Sequence, residues 1–377
     1  MTSVEVSGAD EVQVEQFAGT LFMAALATLE LANVELGVRL GLYEALWRDG
    51  PQTPGELANV TGTVERYVRE WLEQQAVAGV LEVDDAAQPP KARRFSLPTA
   101  HAHVLLDDDS EACMKPCAAV APWVAKSVEI MTDEFRRGTG VAFGAFGVHN
   151  LQAAFTRPVF RHHLVQNWLP ALPEVQAKLS AGAPVRIAEV GCGTGVAALT
   201  IADAYPQVRV DGFDLDEASI AVARENADRQ GLAGRVHFEV RDAGDPTIAG
   251  GYDLVLAIEM IHDVPDPVSV LRTMRTLAGT DGTVLVADER TEDTLTVPGN
   301  DMERFFYSFS PLHCLAVSMQ ANGAGTGTVL RADTLRDYAT RAGFSAVDVL
   351  DVEHPQFRLY RCLIGQAATK AMLTATG

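Results

Sequence analysis

Two sets of residues in this chain have types and spacings that can do chemistry. The first is Gly191, Gly193 and Gly195, at alternate positions after an apolar, β-branched run, Val185 to Val190. A helix-like run, Val196 to Tyr205, follows at once. Glycines there let the backbone turn sharply and approach a ligand with no Cβ in the way, as in the first unit of a nucleotide-binding α/β sheet. The loop reads Glu189-x-Gly-x-Gly-x-Gly195, which differs from the dinucleotide-binding spacing. The second set is His262 and Asp263, just past Glu259 at the end of another apolar run. Open α/β sheets bind ligands beyond the carboxyl ends of their strands, so His262 is placed to take a proton there.

The elements that must position these groups are legible in turn. A second strand, Val208 to Leu215, ends in Asp214-Leu215, nineteen residues after Gly195. A carboxylate at that place takes the two ribose hydroxyls of a nucleoside. A third strand ends in Asp242-Ala243, placed to meet an adenine amino group. A fourth, Tyr252 to Glu259, runs into the segment Met260 to Asp266. A fifth, Gly282 to Glu289, precedes a long insertion and a helix, Ala332 to Ala342. Two last strands span Ala346–Val352 and Phe357–Ile364.

Residues 150–365, on these motifs together, resemble a class I S-adenosylmethionine (SAM)-dependent methyltransferase. The resemblance implies a Rossmann-like, mostly parallel sheet with an antiparallel terminal hairpin. It implies SAM as cofactor, with Glu189, Gly191, Gly193, Gly195, Asp214, Leu215, Asp242, Ala243 and Glu259 around it. Methyl transfer from a sulfonium needs alignment above all, and a base only where the nucleophile must lose a proton. The segment Ile261-His-Asp-Val-Pro-Asp266 resembles the His-Asp-Trp-x-Asp motif of small-molecule O-methyltransferases, whose histidine deprotonates a phenolic hydroxyl. Val264 stands where those proteins have Trp. A second reading makes His262, Asp263 and His313 a two-histidine, one-carboxylate metal set, as in α-keto acid C-methyltransferases that chelate an enolate. His313 lies in an insertion with Phe305, Phe306, Tyr307 and Phe309, expected to fold over the site and favour an aromatic acceptor. The stretch Ala321 to Thr328 reads as a mobile loop that admits substrate.

The remainder divides into a disordered start (1–15), a winged-helix-like dimerisation domain (16–105), a helical linker and substrate-lid region (106–170) and the SAM-binding domain (171–377). Thr53, Pro54 and Glu56 form a capping box before one helix. A second helix, Val64 to Ala78, and two short strands around the loop Asp84 to Arg93 complete helix, turn, helix and wing. This part resembles the dimerising N-terminal domain of actinobacterial winged-helix methyltransferases, and implies a homodimer. Between Glu35 and His101 seven basic residues face ten acidic ones, whereas a DNA reader needs a basic face for phosphates. The glycine- and phenylalanine-rich stretch Gly138 to Asn150 reads equally as a lid or a linker.

The net charge of −20 speaks against nucleic acid and anionic membranes as partners. Five sparse cysteines fit reduced thiols and a cytoplasmic place. The longest apolar candidate for a membrane span, Leu21 to Leu46, is interrupted by Glu30, Glu35, Arg39 and Glu44, so no span is expected. The expectation is a SAM-dependent methyltransferase acting on a small, aromatic or natural-product-like acceptor, with O-methylation and His262 as base favoured. The alternatives are metal-assisted C-methylation of an α-keto acid, a SAM-binding transcriptional regulator, and a former methyltransferase that runs another step.

Overall fold

The computed structural model describes residues 8–365 and divides the chain into two compact units, Met1–Val124 and Ala125–Gly377. The first unit begins with a long helix α1 (Gly8–Arg39), followed by α2 (Leu42–Asp49), α3 (Pro54–Thr61) and α4 (Glu65–Val77). The wing is a two-stranded antiparallel sheet, β1 (Glu82–Val83) with β2 (Phe95–Ser96). Thr53 Oγ1 accepts from the Glu56 amide and the Glu56 carboxylate accepts from the Thr53 amide, so the expected capping box forms. Trp71 of α4 donates its indole N–H to the Asn33 carbonyl at 2.8 Å, and Leu42, Tyr43, Leu57 and Leu72 close a small core. On the would-be recognition helix α4, Arg66 and Arg69 each pair with a glutamate one turn away, Glu70 and Glu65.

Two expectations for this unit are corrected. Residues 8–15 are helical, not disordered: they begin α1, with Asp10 and Glu11 in its first turn, where acids favour a helix start; residues 1–7 lie outside the described residues. And α1 is, by length and composition, apolar enough to cross a membrane: its acids are too widely spaced to break the run Asp10–Arg39. Only 11% of its most apolar window is buried, and Phe17, Leu21, Phe22, Met23 and Leu29 stand exposed.

Helix α5 (Thr99–Leu106) follows the wing, and α6 (Lys115–Arg137) runs on past Val124. In the second unit come α7 (Phe143–Phe146) and α8 (His149–Val159), then a π-helical stretch (Phe160–Trp168) and α9 (Pro173–Ser180). The seven-stranded sheet holds β3 (Val185–Val190), β4 (Val208–Asp214), β5 (Val236–Val240), β6 (Leu254–Ile258), β7 (Thr283–Glu289), β8 (Ala346–Val349) and β9 (Phe357–Leu363). Its order is β5-β4-β3-β6-β7-β9-β8. The first five strands in sequence are parallel; β9 runs antiparallel to β7, and β8 antiparallel to β9. This is the Rossmann-like sheet with a reversed terminal hairpin that the sequence implied. Helices α10 (Val196–Ala204), α11 (Glu217–Arg229), α12 (Pro267–Ala278), α13 (Asp301–Phe309), α14 (Cys314–Ser318) and α15 (Ala332–Ala342) complete the unit.

Strands β6 and β7 are buried along their whole length, as a parallel strand covered on both faces must be. The strand order reverses between β3 and β6. Ligands of open α/β sheets bind at such a switch point, beyond the carboxyl ends.

Candidate active site

The glycine loop opens that edge. Gly191 and Cys192 donate their amides to the Phe213 carbonyl at 2.7 and 3.1 Å, which fastens the loop to β4. Gly191 has φ +71, and a Cβ there would lie 2.8 Å from Met260; Gly195 has φ +79 and faces the Phe238 ring. Glu189, the last residue but one of β3, accepts from the Ala198 amide at 2.9 Å at the start of α10. Burial pushes its carboxyl up to about 8. Asp214 closes β4, and its two oxygens accept from the Gly193 and Asp216 amides at 2.8 and 2.9 Å. Burial raises this carboxyl too, and those two amides work against the rise. Asp242 lies two residues past β5 and accepts from the Gly244 amide at 2.8 Å.

These groups line one cavity of about 650 Å³ within the second unit. All nine expected cofactor residues except Gly195 line it; Gly195 sits behind the loop as the cap of α10. The opposite wall is α8 and its π-helical continuation, through His149, Gln152, Ala153, Thr156 and Phe160. Sequence reading missed this wall. Its signal was the spacing of those five residues, which puts them on one helix face. A π-helix is an uncommon element that often marks a functional site. The glycine- and phenylalanine-rich stretch folds over the same region: Phe143 lines the cavity, and Val141 donates to the Ala316 carbonyl at 2.9 Å.

Glu259 ends β6 in the left-handed region, φ +54, a conformation rarely adopted by a non-glycine residue. Burial raises its carboxyl to about 8.

His262 lies deeper than the sequence suggested. It is 1% exposed and does not line the cavity; its neighbour Asp263 does. Its Nδ1 stands 2.7 Å from Asp288 Oδ1 and 2.9 Å from Glu289 Oε2. Its Nε2 approaches Asp263 Oδ1 at 3.3 Å without the geometry of a hydrogen bond. Burial alone would lower this imidazole, but Glu289, Asp288 and Asp263 outweigh it and hold it well above its ordinary value. Burial also raises Glu289 well above the carboxylate range, while His262 keeps Asp288 low despite burial. These directions favour an imidazolium paired with the Asp288 carboxylate.

The expected metal set is not assembled as such. Among the described residues, His262 and Asp263 converge with Cys314, and His262 also with Asp288 and Glu289, each set within 4.8 Å. His313 instead packs edge-on against Phe146 and Phe143, with ring centroids 4.7 and 5.3 Å away, and burial lowers its imidazole. Nor do Phe305, Phe306, Tyr307 and Phe309 line the cavity: Phe306 is buried in packing, and Phe305 and Tyr307 face outward. Phe309 packs edge-on against His313, with ring centroids 6.2 Å apart. The loop 321–328 is tied down, with Ala324 donating to the Pro265 carbonyl at 2.8 Å and Gly327 to the His262 carbonyl at 3.2 Å.

Sequence comparison agrees with this geometry. Residues 183–320 match the methyltransferase domain family, and residues 27–106 match the Rv2258c-like winged helix-turn-helix domain. The chain is a SAM-dependent methyltransferase with an N-terminal winged-helix domain. The methyltransferase is 28% identical over 262 residues to the mitomycin biosynthesis 6-O-methyltransferase of Streptomyces lavendulae, covering 68% of this chain and 72% of that one. It is 35% identical over 108 residues to a ubiquinone biosynthesis O-methyltransferase of Marinobacter nauticus, covering 27% and 43% of the two chains. The fold matches the solved structure of the mitomycin 7-O-methyltransferase MmcR with a TM-score of 0.63 at 21% identity, over 95% of this chain and all of that one. Human N-acetylserotonin methyltransferase, solved in complex with SAM, matches with a TM-score of 0.61 at 16% identity, over 97% and 100% of the two chains.

Proposed function

We propose that the enzyme methylates a hydroxyl oxygen of a small aromatic acceptor, with Asp263 taking the proton and His262 positioning Asp263. The observation that carries this reading is the cavity itself, where the glycine loop and strand-end acids share one space with the α8 wall and Asp263. The residues fit SAM: the loop admits close backbone approach, and Asp214 and Asp242 stand at the ends of β4 and past β5 to meet ribose and adenine. SAM, when bound, supplies an electrophilic methyl group and a net positive charge. Seven acidic side chains line the cavity, five of them aspartates, and suit that charge.

Asp263 is the member of the pair that faces the acceptor. His262 stands behind it, fixed by Asp288 and Glu289, and favours the ionised carboxylate that can accept the proton. Oxygen rather than carbon is favoured as nucleophile, since the relatives above named for an acceptor atom are O-methyltransferases. The metal-assisted reading keeps one supporting feature, the convergence of His262, Asp263 and Cys314. SAM calorimetry and metal analysis on the same purified sample, followed by labelled methyl transfer to a panel of phenols, test the proposal. SAM binding without metal, with label on oxygen, is the expected result; stoichiometric metal would favour the chelate, and absent SAM binding would remove the reading altogether.

We also propose that the protein is a homodimer formed through the N-terminal unit. The exposed apolar residues of α1 support this, since burying them against a second copy removes a large apolar surface from water. Five free cysteines suit a reducing, cytoplasmic setting.

A further inference from the structure

The wall of the active-site cavity is unusual in its charge. Asp214, Asp216, Asp242, Asp263 and Asp266 line it together with the buried acids Glu189 and Glu259, and no lysine or arginine does among the described residues. The cofactor accounts for the acids around the glycine loop. It does not account for Asp263, which lies past β6 with Val264 and Pro265; Asp266, close by in the chain, caps α12 by accepting from the Ser269 amide. Asp263 Oδ1 is buried and accepts no hydrogen bond. The one cationic neighbour, His262, is already compensated by Asp288 and Glu289 and lies outside the cavity.

On the α8 wall of the same cavity, His149 Nδ1 is also buried and without a hydrogen-bond partner. A hydroxyl both donates and accepts, so it can meet an acidic wall with its O–H. A carboxylate donates nothing to Asp263, and would enter an acidic, part-buried space with no fixed cation to meet it.

We infer that the acceptor half of the cavity selects uncharged or cationic aromatic hydroxyl compounds and rejects carboxylates and other anions. The inference rests on the methyltransferase reading and narrows its acceptor. It also separates the favoured reading from C-methylation of an α-keto acid, which would enter as an anion.

The test uses the full-length enzyme loaded with S-adenosylhomocysteine, titrated in a calorimeter with salicylamide and with salicylate. The two probes share a phenol and differ in charge. Salicylamide should bind at least about tenfold more tightly, and Asp263→Asn and Asp266→Asn should each narrow the gap. Equal or tighter binding of salicylate overturns the inference. So does a failure of both probes while SAM binds normally, and that outcome leaves the methyltransferase reading standing. A preference for salicylate that disappears in His149→Gln would identify His149 as a counter-ion and likewise overturn it. Loss of SAM binding by the unaltered protein removes both readings.

Discussion

Asp288 Oδ1 stands 2.7 Å from Nδ1 of His262, and both side chains are sealed from solvent. The contact ties the last turn of β7 to the segment after β6. It fixes the imidazole so that Nε2 points toward Asp263. Breaking one side of such a buried pair leaves an uncompensated charge, at a cost of about 3–5 kcal/mol. Asp288→Asn should therefore lower the thermal midpoint by several degrees, read by calorimetry or circular dichroism. An unchanged midpoint would mean that His262 is neutral in the folded enzyme.

Removing the imidazole should separate binding from turnover. His262→Ala should keep SAM affinity, since His262 does not line the cavity, while turnover falls by about 10²-fold or more. Asp263→Asn should act in the same direction and raise the apparent KM for the acceptor. Full turnover in both variants would show that alignment alone drives the transfer and that neither residue carries the proton.

Asp214 is the test of the cofactor half. Its oxygens already accept from the Gly193 and Asp216 amides, so the side chain shapes the glycine loop as well as meeting ribose. Asp214→Ala should weaken SAM binding by about 1–3 kcal/mol, the cost of an unmet buried partner. Asp214→Asn should lose less, because its amide oxygen can still accept from one of the two amides. Unchanged calorimetric affinity in both variants would place Asp214 outside the cofactor contacts.

The parts of the site that follow chain order were legible in the sequence. The loop from Glu189 to Gly195 and the acids Asp214 and Asp242 sit at strand ends, and a strand end is marked by where an apolar run stops. The reversed hairpin of β8 and β9 was carried by resemblance rather than by pattern. What escaped was depth and direction. Nothing in the spacing of Glu259, His262 and Asp263 says that Asp263 meets the cavity while His262 turns back to Asp288. That choice depends on β7, which lies beside β6 in space but follows it by a whole helix in sequence. The same holds for Phe305 and Tyr307, whose aromatic character suggested a pocket while the orientation of α13 turned them outward. The α8 wall was hidden for a simpler reason: its cavity face mixes His149, Gln152 and Thr156 with Ala153 and Phe160, so no apolar stripe announces it.

Stability should fall as pH rises. Burial raises Glu189 and Glu259 to about 8 from their ordinary 4.5. Between those values the folded chain holds protons that the unfolded chain has released. The slope of stability with pH is then negative, up to about 1.4 kcal/mol per pH unit for each group. His262, held above its ordinary value, adds a loss of the same sign above its unfolded value of 6.5. Asp288, held low, contributes above 3.8 and is flat across this window. Thermal midpoints should thus decline from about pH 5.5 to about pH 8.5, and Glu189→Gln should flatten the decline. Added SAM should offset it, since a bound cation favours ionised acids. A midpoint that rises across the range would mean that these carboxyls are ionised in the fold.

The apolar face of α1 gives the test of assembly. The end of the helix near Trp71 is packed: Gly37 lies against the Trp71 and Tyr43 rings, and Glu35 is buried. The stretch before it leaves Phe17, Leu21, Phe22, Met23 and Leu29 in contact with water. At roughly 25 cal/mol per Å² of apolar area, covering such a helix is worth several kcal/mol before the cost of association is met. The double variant Phe22→Glu with Leu29→Glu should shift the protein from dimer to monomer in analytical ultracentrifugation. It should leave SAM affinity unchanged, because every residue lining the cofactor cavity belongs to the second unit. A wild-type protein that sediments as a monomer at micromolar concentration would sink the dimer. A dimer that survives both glutamates would move its interface off α1.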